Sequence, residues 1–325
     1  YAVCDHWYSS APTETLPNRA FALMATSQGF LDDANKVYTA KSIFTLLADN
    51  NLTWAVYGYT SPPLTRNSVA DITKSSDSNF GVFKDFQAAV SSGNLANFVF
   101  LEPSWDAQGN SQHPVGSLAA GDAFIQQVYQ TLYGSKVWED TLLIITYDEH
   151  GGNYDHVPPP TTAVAPDNSN GEFGFNFQRF GVRVPAVLVS PYIEAGTVYR
   201  VTQGIGGAPT PFDHTSVLKT VEKRFGLPPL TMRDAAAPDL GGVLTLSSAR
   251  TDDPLAKVKA QAGPAKSPIP DHPTHLQQVQ AHYLSRLPIA GHTLGVEHHE
   301  NTTPKFKSGS EADAYIKKRY KQVKF

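Results

Sequence analysis

Cysteine is nearly missing from this sequence, and so are other features that would assign the chain to a class at once. Cys4 is the single cysteine among 325 residues, so no disulfide bond can form within the chain. No run of eighteen consecutive apolar residues occurs, which argues against a membrane-spanning helix. Net charge is −4, and no basic run precedes the lysine-rich segment 317–324. We therefore expect no nucleic-acid partner and at most peripheral contact with a membrane.

The apolar residues that are present alternate between runs of two lengths. Short runs rich in Val, Ile, Leu and Phe are predicted to be buried parallel strands, at 20–25, 53–58, 98–101, 142–147 and 184–189. Amphipathic segments at 42–49, 118–132 and 215–225 are predicted helices, the last with Asp213 as its N-cap and Gly226 at its end. This alternation predicts an α/β fold, with a layered sheet and helices on both faces.

The composition changes near residue 230. The alternation of strands and helices occupies residues 1–230, interrupted by a polar, Pro-rich surface loop at 158–183. Beyond it the sequence is polar and Pro-rich, with helical segments near 275–287 and 311–321. We predict a core domain over 1–230 and a polar appendage over 231–325 that packs on the core.

The strongest local feature lies at the end of the predicted strand 142–147. The strand leads directly into Asp148, Glu149 and His150, then into two glycines, and then into Asp155 and His156. Ligands bind at the carboxyl ends of strands in α/β sheets, so these groups are expected to converge on one crevice. Two adjacent carboxylates repel unless a cation lies between them, and oxygen ligands suit a hard divalent ion. The alternative is a strand end with solvated charges and a Gly-Gly turn.

Other candidates are weaker when each is taken alone. Thr26 and Ser27 follow an apolar run, where a hydroxyl activated by a metal can act as a nucleophile, but the same pattern is common in turns. His113 lies in a polar loop, and His214 follows the predicted helix cap; either can be an ordinary solvated histidine. Arg183 begins a structural strand, where it is expected to form a salt bridge or shape the site.

Taken in order, these segments resemble a phosphoesterase family that holds bacterial phospholipases C, plant non-specific phospholipases C and a bacterial acid phosphatase. The resemblance covers roughly residues 1–228. It is carried by Asp5-His-Trp-Tyr-Ser-Ser, Pro17-Asn-Arg, Ala25-Thr-Ser-Gln-Gly, Asn110-Ser-Gln-His-Pro, Tyr147-Asp-Glu-His-Gly-Gly-Asn-Tyr-Asp-His, Gly181-Val-Arg-Val-Pro and Pro211-Phe-Asp-His-Thr-Ser.

The resemblance implies an alkaline-phosphatase-like α/β sandwich, with a mostly parallel central sheet, in which residues 1–230 form the catalytic core. A threonine hydroxyl attacks phosphorus and the phospho-enzyme is then hydrolysed, with one or more divalent metal ions assisting. Matched position by position, the resemblance assigns these residues: catalytic Thr26, His113, His150 and His214; substrate-binding Asn18, Ser27, Asp155 and His156; metal-binding Thr26, Asp148 and Glu149.

Several alternatives stay open at this point. The motifs favour phospholipase C-like cleavage of a phospholipid, but they also fit an acid phosphatase or a non-catalytic protein that binds a phosphate or a lipid head group. A sulfatase is disfavoured, because Cys4 lacks the Cys/Ser-x-Pro-x-Arg context. The family's initial Glu-Asn motif does not occur in these residues, and we expect it to lie upstream. The resemblance also favours an exported or cell-surface location.

Overall fold

The computed structural model describes residues 1–34, 36–106, 108–114, 116–201, 210–260, 271–289 and 304–323. The chain packs into two compact units. The first contains residues 1–33, 38–52 and 137–253, and the second contains residues 34–37, 53–136 and 254–325. The predicted boundary at residue 230 rests on composition and family resemblance, and it stays a prediction.

The first unit is built on a four-stranded sheet with the order β5-β6-β1-β7. Its strands are β1 (Ala2–Val3), β5 (Leu143–Thr146), β6 (Ala186–Val189) and β7 (Thr197–Val198). β6 pairs antiparallel with both β5 and β1, whereas β1 and β7 are parallel. The prediction that the runs at 142–147 and 184–189 are parallel strands was therefore wrong in orientation. A short apolar run does not encode the direction of its partner.

The predicted strand at 20–25 was wrong, because this segment belongs to helix α1 (Thr15–Met24). The helix is buried over most of its circumference, so its apolar residues show no polar face from which a helical period can be read. Its first turn contains Pro17, a position where the missing N–H of proline costs little. The helix ends at Ala25, which has a φ of 58°. Thr26 thus follows a helix and not a strand.

Three further α-helices lie in the described residues of the first unit. They are α2 (Ile43–Asp49), α6 (Thr215–Phe225) and α7 (Met232–Ala236), and the bounds of α2 and α6 agree with the predicted segments. The N-cap residue of α6 is His214, one residue later than predicted, although the Asp213 carboxylate accepts the backbone N–H of Thr215 at 3.1 Å. α6 ends at Gly226 in the left-handed conformation, as the sequence predicted.

The second unit contains a parallel three-stranded sheet with the order β3-β2-β4. Its strands are β2 (Trp54–Gly58), β3 (Phe80–Val82) and β4 (Phe98–Leu101). Its helices are α3 (Thr65–Ser68), α4 (Phe83–Ser92), α5 (Leu118–Leu132), α8 (His275–Arg286) and α9 (Gly309–Tyr320). α8 packs on α9 around Ala281, Leu284 and Ile316. The predicted strands at 53–58 and 98–101 and the predicted helices at 118–132, 275–287 and 311–321 are confirmed to within a few residues.

The mixed α/β class is therefore confirmed, while the alkaline-phosphatase-like layering stays a prediction. Of the predicted buried strands, β2 is buried along its whole length. β4 and β5 are only partly buried, and each lies at the edge of its sheet among the described residues. No helix in the described ranges is both long enough and apolar enough to span a bilayer.

Candidate functional site

An extended segment, residues 4–9, holds the predicted motifs of the first unit together. On one side it exchanges backbone hydrogen bonds with residues 181–186, including Cys4 N to Ala186 O and Ser9 N to Val182 O. On the other side Tyr8 N donates to Phe212 O at 2.9 Å. The Asp5-His-Trp, Gly181-Val-Arg and Pro211-Phe-Asp-His segments are therefore neighbours in space, as their joint assignment to one site requires.

Arg183 joins this segment to the loop after β5. Its Nε and Nη2 atoms donate to the two carboxylate oxygens of Asp155 at 2.6 and 2.8 Å, and its Nη1 donates to the carbonyl oxygen of Asp5 at 3.3 Å. This bidentate pair lowers the pKa of Asp155 to about 2. The prediction that Arg183 forms a salt bridge is confirmed. Asp155 is thus an ionised carboxylate committed to the arginine.

Asp5 carries a second ion pair. Both of its carboxylate oxygens accept hydrogen bonds from Arg200, and the neighbouring His6 Nδ1 lies 3.0 Å from Oδ1. The hydrogen bond from Arg200 holds the pKa of Asp5 well below its usual range. Carboxylates and arginines therefore alternate beside the segment 4–9, in the order Asp155, Arg183, Asp5 and Arg200.

The carboxylates predicted to bind metal accept hydrogen bonds from their own loop. Asp148 Oδ1 accepts the backbone N–H of Glu149 at 3.0 Å, and Glu149 Oε2 accepts the N–H of Gly151 at 2.6 Å. Their oxygens have the chemistry that suits a hard divalent cation. Within the described ranges, however, no group of three His, Cys, Asp or Glu side chains is placed to hold a metal ion. The described donors therefore do not fit a complete metal site, and the metal stays a prediction.

His214 is buried and uses both ring nitrogens. Its Nε2 lies 2.8 Å from the carbonyl oxygen of Asp148, and its Nδ1 is 3.5 Å from the indole Nε1 of Trp7. Since a carbonyl only accepts and an indole N–H only donates, the ring is neutral with its proton on Nε2. Burial lowers the pKa of His214, in agreement with this assignment. The ring positions the backbone at Asp148.

A buried ion pair lies beside His214. Arg233 Nε donates to Asp213 Oδ2 at 2.9 Å, and both side chains are about 3% exposed. The remaining N–H groups of Arg233 donate to the carbonyl oxygens of Ser10, Val164 and Phe177. One guanidinium thus fixes Ser10, the loop 158–183 and the start of α6 relative to one another.

Thr26, the predicted nucleophile, is buried and hydrogen-bonded. Its hydroxyl donates to Asp167 Oδ2 at 2.6 Å and accepts the backbone N–H of Gln28 at 2.9 Å. Burial alone would raise the pKa of Asp167, but hydrogen bonds from Ser169 and Thr26 outweigh it and the pKa is lowered. The threonine hydroxyl is therefore hydrogen-bonded to an ionised carboxylate. The neighbouring Ser27 hydroxyl donates to Phe30 O at 2.8 Å.

Asn18 organises the approach to α1. Its side-chain oxygen accepts the N–H of Ala11, and its amide donates to the carbonyl oxygens of Ala11, Thr13 and Glu14. These bonds close the loop immediately before Thr15, the buried first residue of the helix. The assignment of Asn18 and Ser27 to substrate binding stays a prediction, since the bonds above are to backbone atoms. Thr15 is another buried hydroxyl, which no sequence pattern singled out.

The predicted histidines differ in their surroundings. His150 Nδ1 lies 2.8 Å from the Asn153 carbonyl oxygen, and His156 is largely exposed beside Asp155. His113 belongs to the second unit, in the loop between β4 and α5, where its backbone N–H donates to Ser111 Oγ. Its role stays a prediction, as do the roles of His150 and His156.

Three residues that organise the site were not among the predicted site residues. Trp7 lies in the Asp5-His-Trp motif without any sign of its role, Arg233 looks like an ordinary surface residue, and Asp167 lies in a polar loop with no regular spacing. Each makes a hydrogen bond to a residue that is 141 to 223 positions away in the chain. Covariation between such positions is the kind of signal that would identify them.

Comparison with known proteins assigns these motifs to one family. The phosphoesterase family model matches residues 1–228. Among curated relatives, the chain is 36% identical to non-specific phospholipase C3 of Arabidopsis thaliana over 270 residues, which are 78% of this chain and 51% of that protein. It is 34% identical to non-specific phospholipase C6 of the same plant over 315 residues, 89% of this chain and 60% of the relative. It is 29% identical to phospholipase C A of Mycobacterium tuberculosis over 285 residues, which are 74% of this chain and 52% of that protein. The chain thus spans about half the length of most of these relatives.

Proposed function

Because this chain belongs to the phosphoesterase family, we propose that it is a hydrolase of phosphate esters, and that its substrate is a phospholipid cleaved in the manner of a phospholipase C. The relatives named above are phospholipases C of plants and of a bacterium, which supports the choice of substrate. The observation that carries the proposal is the meeting of the family's motifs: Asp148 contacts His214, and Asp155 contacts Arg183.

The proposed nucleophile is a threonine. In this mechanism the Thr26 hydroxyl oxygen bonds to phosphorus while its proton passes to Asp167, 2.6 Å away. The bond from phosphorus to the leaving alcohol breaks, and the alcohol takes up a proton from water. Water then hydrolyses the phosphothreonine, which releases the phosphorylated head group and restores the hydroxyl.

Thr15 is the competing nucleophile. It begins α1, and the amino end of a helix stabilises negative charge through its free N–H groups and its dipole. The next amide, that of Leu16, already donates to Asp33 Oδ1 at 2.6 Å. Thr26 has an adjacent base and Thr15 has the helix end, so the two hydroxyls differ in the physical origin of their activation. Substitution of each in turn distinguishes them.

A metal requirement is a separate proposal. Asp148, Glu149 and Thr26 are the proposed ligands, and additional ligands are required because the described residues hold no group of three. The steps above do not pass through a metal. An exported location is also proposed, on the family resemblance, and it is compatible with a single buried cysteine. Fractionation of cells that express the protein would test it.

The test of the proposed function is hydrolysis of two chromogenic esters by the purified protein, with added divalent ions and with EDTA. Turnover of p-nitrophenylphosphorylcholine supports phospholipase C-like cleavage of a diester. Turnover of p-nitrophenyl phosphate alone favours a phosphomonoesterase of the acid phosphatase type. No turnover of either ester with metal supplied would contradict catalysis by this chain and favour binding of a phosphate or a lipid head group.

A further inference from the structure

Residues 154–183 form one long loop that is closed at its base. Asp155 and Arg183 pair at the two ends of the loop, Phe180 N donates to Pro160 O at 3.0 Å, and Ala163 N donates to Gln178 O at 3.1 Å. We call this segment the 154–183 loop. Hydrogen bonds to Arg233 and the contact between Asp167 and Thr26 hold it against the rest of the first unit.

Large apolar side chains on this loop are turned into solvent. Phe173 is 95% exposed and Tyr154 is 92% exposed. Val164 on the loop is also exposed, and so is Met232, whose backbone N–H donates to the carbonyl oxygen of Pro166. Single exposed apolar residues are ordinary on a protein surface, but two aromatic rings exposed almost completely on one ordered loop point to a binding surface.

Phe173 is presented by a backbone that costs free energy. Its φ of 55° lies in the left-handed region, which is unfavourable for a residue with a β-carbon. The preceding residue is held by its backbone and by its side chain: Glu172 N donates to Gly29 O at 2.9 Å, and Leu31 N donates to Glu172 Oε2 at 2.8 Å. A side chain at Gly29 would clash, since its β-carbon would lie 2.5 Å from Asn170 O. The fold therefore fixes an aromatic ring in water, where it contributes nothing to the core.

The charges of the loop indicate which surface it suits. Three carboxylates and two guanidinium groups lie within it, and four of these five groups have partners inside the protein. The fifth, Arg179, lies 6.0 Å from the ring centre of Phe175. The loop has no excess of positive charge that would attract an anionic membrane. Exposed aromatic rings, in contrast, are suited to the interface between lipid head groups and acyl chains.

We propose that the 154–183 loop docks the protein on a bilayer of zwitterionic lipids by inserting Phe173 and Tyr154 into the lipid interface. The inference deepens the proposed function, because it would bring the first unit to a phospholipid surface. Docking does not itself require hydrolysis. The two ideas can therefore fail separately.

The test is binding of the purified protein to sucrose-loaded vesicles of dioleoylphosphatidylcholine, measured by co-sedimentation. We expect Phe173→Ser and Tyr154→Ser each to weaken partitioning about tenfold, because each removes a large apolar side chain from the interface. Leu118→Ser removes an exposed apolar side chain of the second unit and is the matched control, with no change expected. Chromatography of the pelleted lipid checks that the phospholipid is intact. Equal losses in all three variants would overturn the proposal.

A second measurement reports insertion directly. All four native tryptophans are buried, so a Phe173→Trp variant adds the one exposed indole. On addition of vesicles we expect its emission to shift to shorter wavelength and to become protected from acrylamide. An unchanged spectrum would overturn the proposal. So would a protein that dimerises through Phe173 in light scattering but ignores vesicles, which would assign the surface to a second copy. Vesicle binding without ester hydrolysis would instead contradict only the proposed function.

Discussion

The imidazole Nε2 of His214 lies 2.8 Å from the backbone carbonyl oxygen of Asp148, and this contact connects the start of α6 to the loop that carries the paired carboxylates. The contact needs the neutral ring with its proton on Nε2, because the indole of Trp7 occupies the other nitrogen. The catalytic role of His214 stays a prediction, while its contacts hold the backbone at Asp148 in place.

His214→Leu is expected to destabilise the protein by about 1–3 kcal/mol, since it leaves the Trp7 indole and the Asp148 carbonyl without partners. His214→Gln, which retains a donor, should recover part of the loss. Because burial lowers the folded-state pKa of His214, the unfolded chain binds its proton more readily, and stability is lost as the pH falls below about 6.5. Thermal melts of both variants from pH 5 to 8 check this. A pH dependence identical to that of the wild-type protein would contradict the assignment.

Thr26→Val and Thr15→Val each remove a hydroxyl with almost no change in volume. The variant that lacks the nucleophile is expected to lose at least about 10³-fold in kcat, because no other group can take over the covalent step. The other variant is expected to retain most of its activity and so serves as the matched control. Hydrolysis of p-nitrophenylphosphorylcholine measures both. Full activity in both variants would exclude a threonine nucleophile at either position.

Arg183→Lys tests the bidentate ion pair with Asp155. A lysine retains the charge but cannot donate to both carboxylate oxygens, so we expect a loss of about 1–2 kcal/mol in the free energy of unfolding. The pKa of Asp155 is lowered from 3.8 in the unfolded chain to about 2 in the folded protein. The stability that the ion pair contributes is therefore present above pH 3.8 and is lost as the pH falls through 2. Urea unfolding at pH 7 and pH 3 measures the loss. An Arg183→Lys variant as stable as the wild-type protein would show that charge alone is sufficient.

Glu222 is a buried carboxyl group on α6 beside Asp234 of α7. Among the described residues neither Glu222 oxygen has a hydrogen-bond partner, while Asp234 accepts hydrogen bonds from Leu230 and Thr231. Burial, and then Asp234, raise the pKa of Glu222 to about 9, with Lys219 opposing the shift. The stability contributed by protonated Glu222 is therefore fully present below about pH 4.5 and is lost as the pH rises through 9.

Glu222→Gln mimics the protonated group and should remove most of this dependence. At pH 8 we expect the variant to be more stable than the wild-type protein by about 1–3 kcal/mol, whereas near pH 5 the two should be similar. Thermal melts at the two pH values provide the comparison. If the wild-type protein shows no decline in stability between pH 5 and 9, the carboxyl group is not protonated in the fold.

Asp148→Asn tests the proposed metal ligands. If Asp148 and Glu149 bind a divalent ion, the variant should contain less metal by elemental analysis and lose activity that added metal restores only in part. Asp155→Asn is a useful comparison, since that carboxylate is already committed to Arg183. Equal metal content in the wild-type protein and both variants would remove Asp148 from the ligand set.

The sequence predicted those parts of the fold in which the pattern of apolar residues fits only one kind of secondary structure. The helix 118–132 has a clear apolar stripe with Ser117 as its N-cap, and it was predicted with its observed bounds. The run at 20–25 failed because a helix buried on nearly every side has the composition of a strand. The orientation of β6 failed because it depends on partners at residues 2 and 143, far away in the chain.

The candidate site was predictable to a similar extent. Motif order identified Asp148, Asp155, Arg183 and His214, and their segments are indeed neighbours. Their individual roles depend on atoms that no spacing encodes. The proton on His214 is placed by Trp7, and the Thr26 hydroxyl donates its hydrogen bond to Asp167. Residue types indicated the chemistry, whereas the three-dimensional contacts decide which groups stay available for it.

The pairing of β1 with β6 has a consequence for synthesis on the ribosome. Ala2 of β1 lies opposite Leu188 of β6, so this pair of residues cannot form until 186 further residues have been translated. At about 5–20 residues per second, that interval is about 10–40 s. During it the backbone of Trp7 cannot yet bond to that of Val184, and the ring of Trp7 is completely buried in the finished fold. The nascent chain therefore exposes an apolar segment throughout that interval, and binding of a chaperone to residues 1–10 is expected to raise the yield of folded protein.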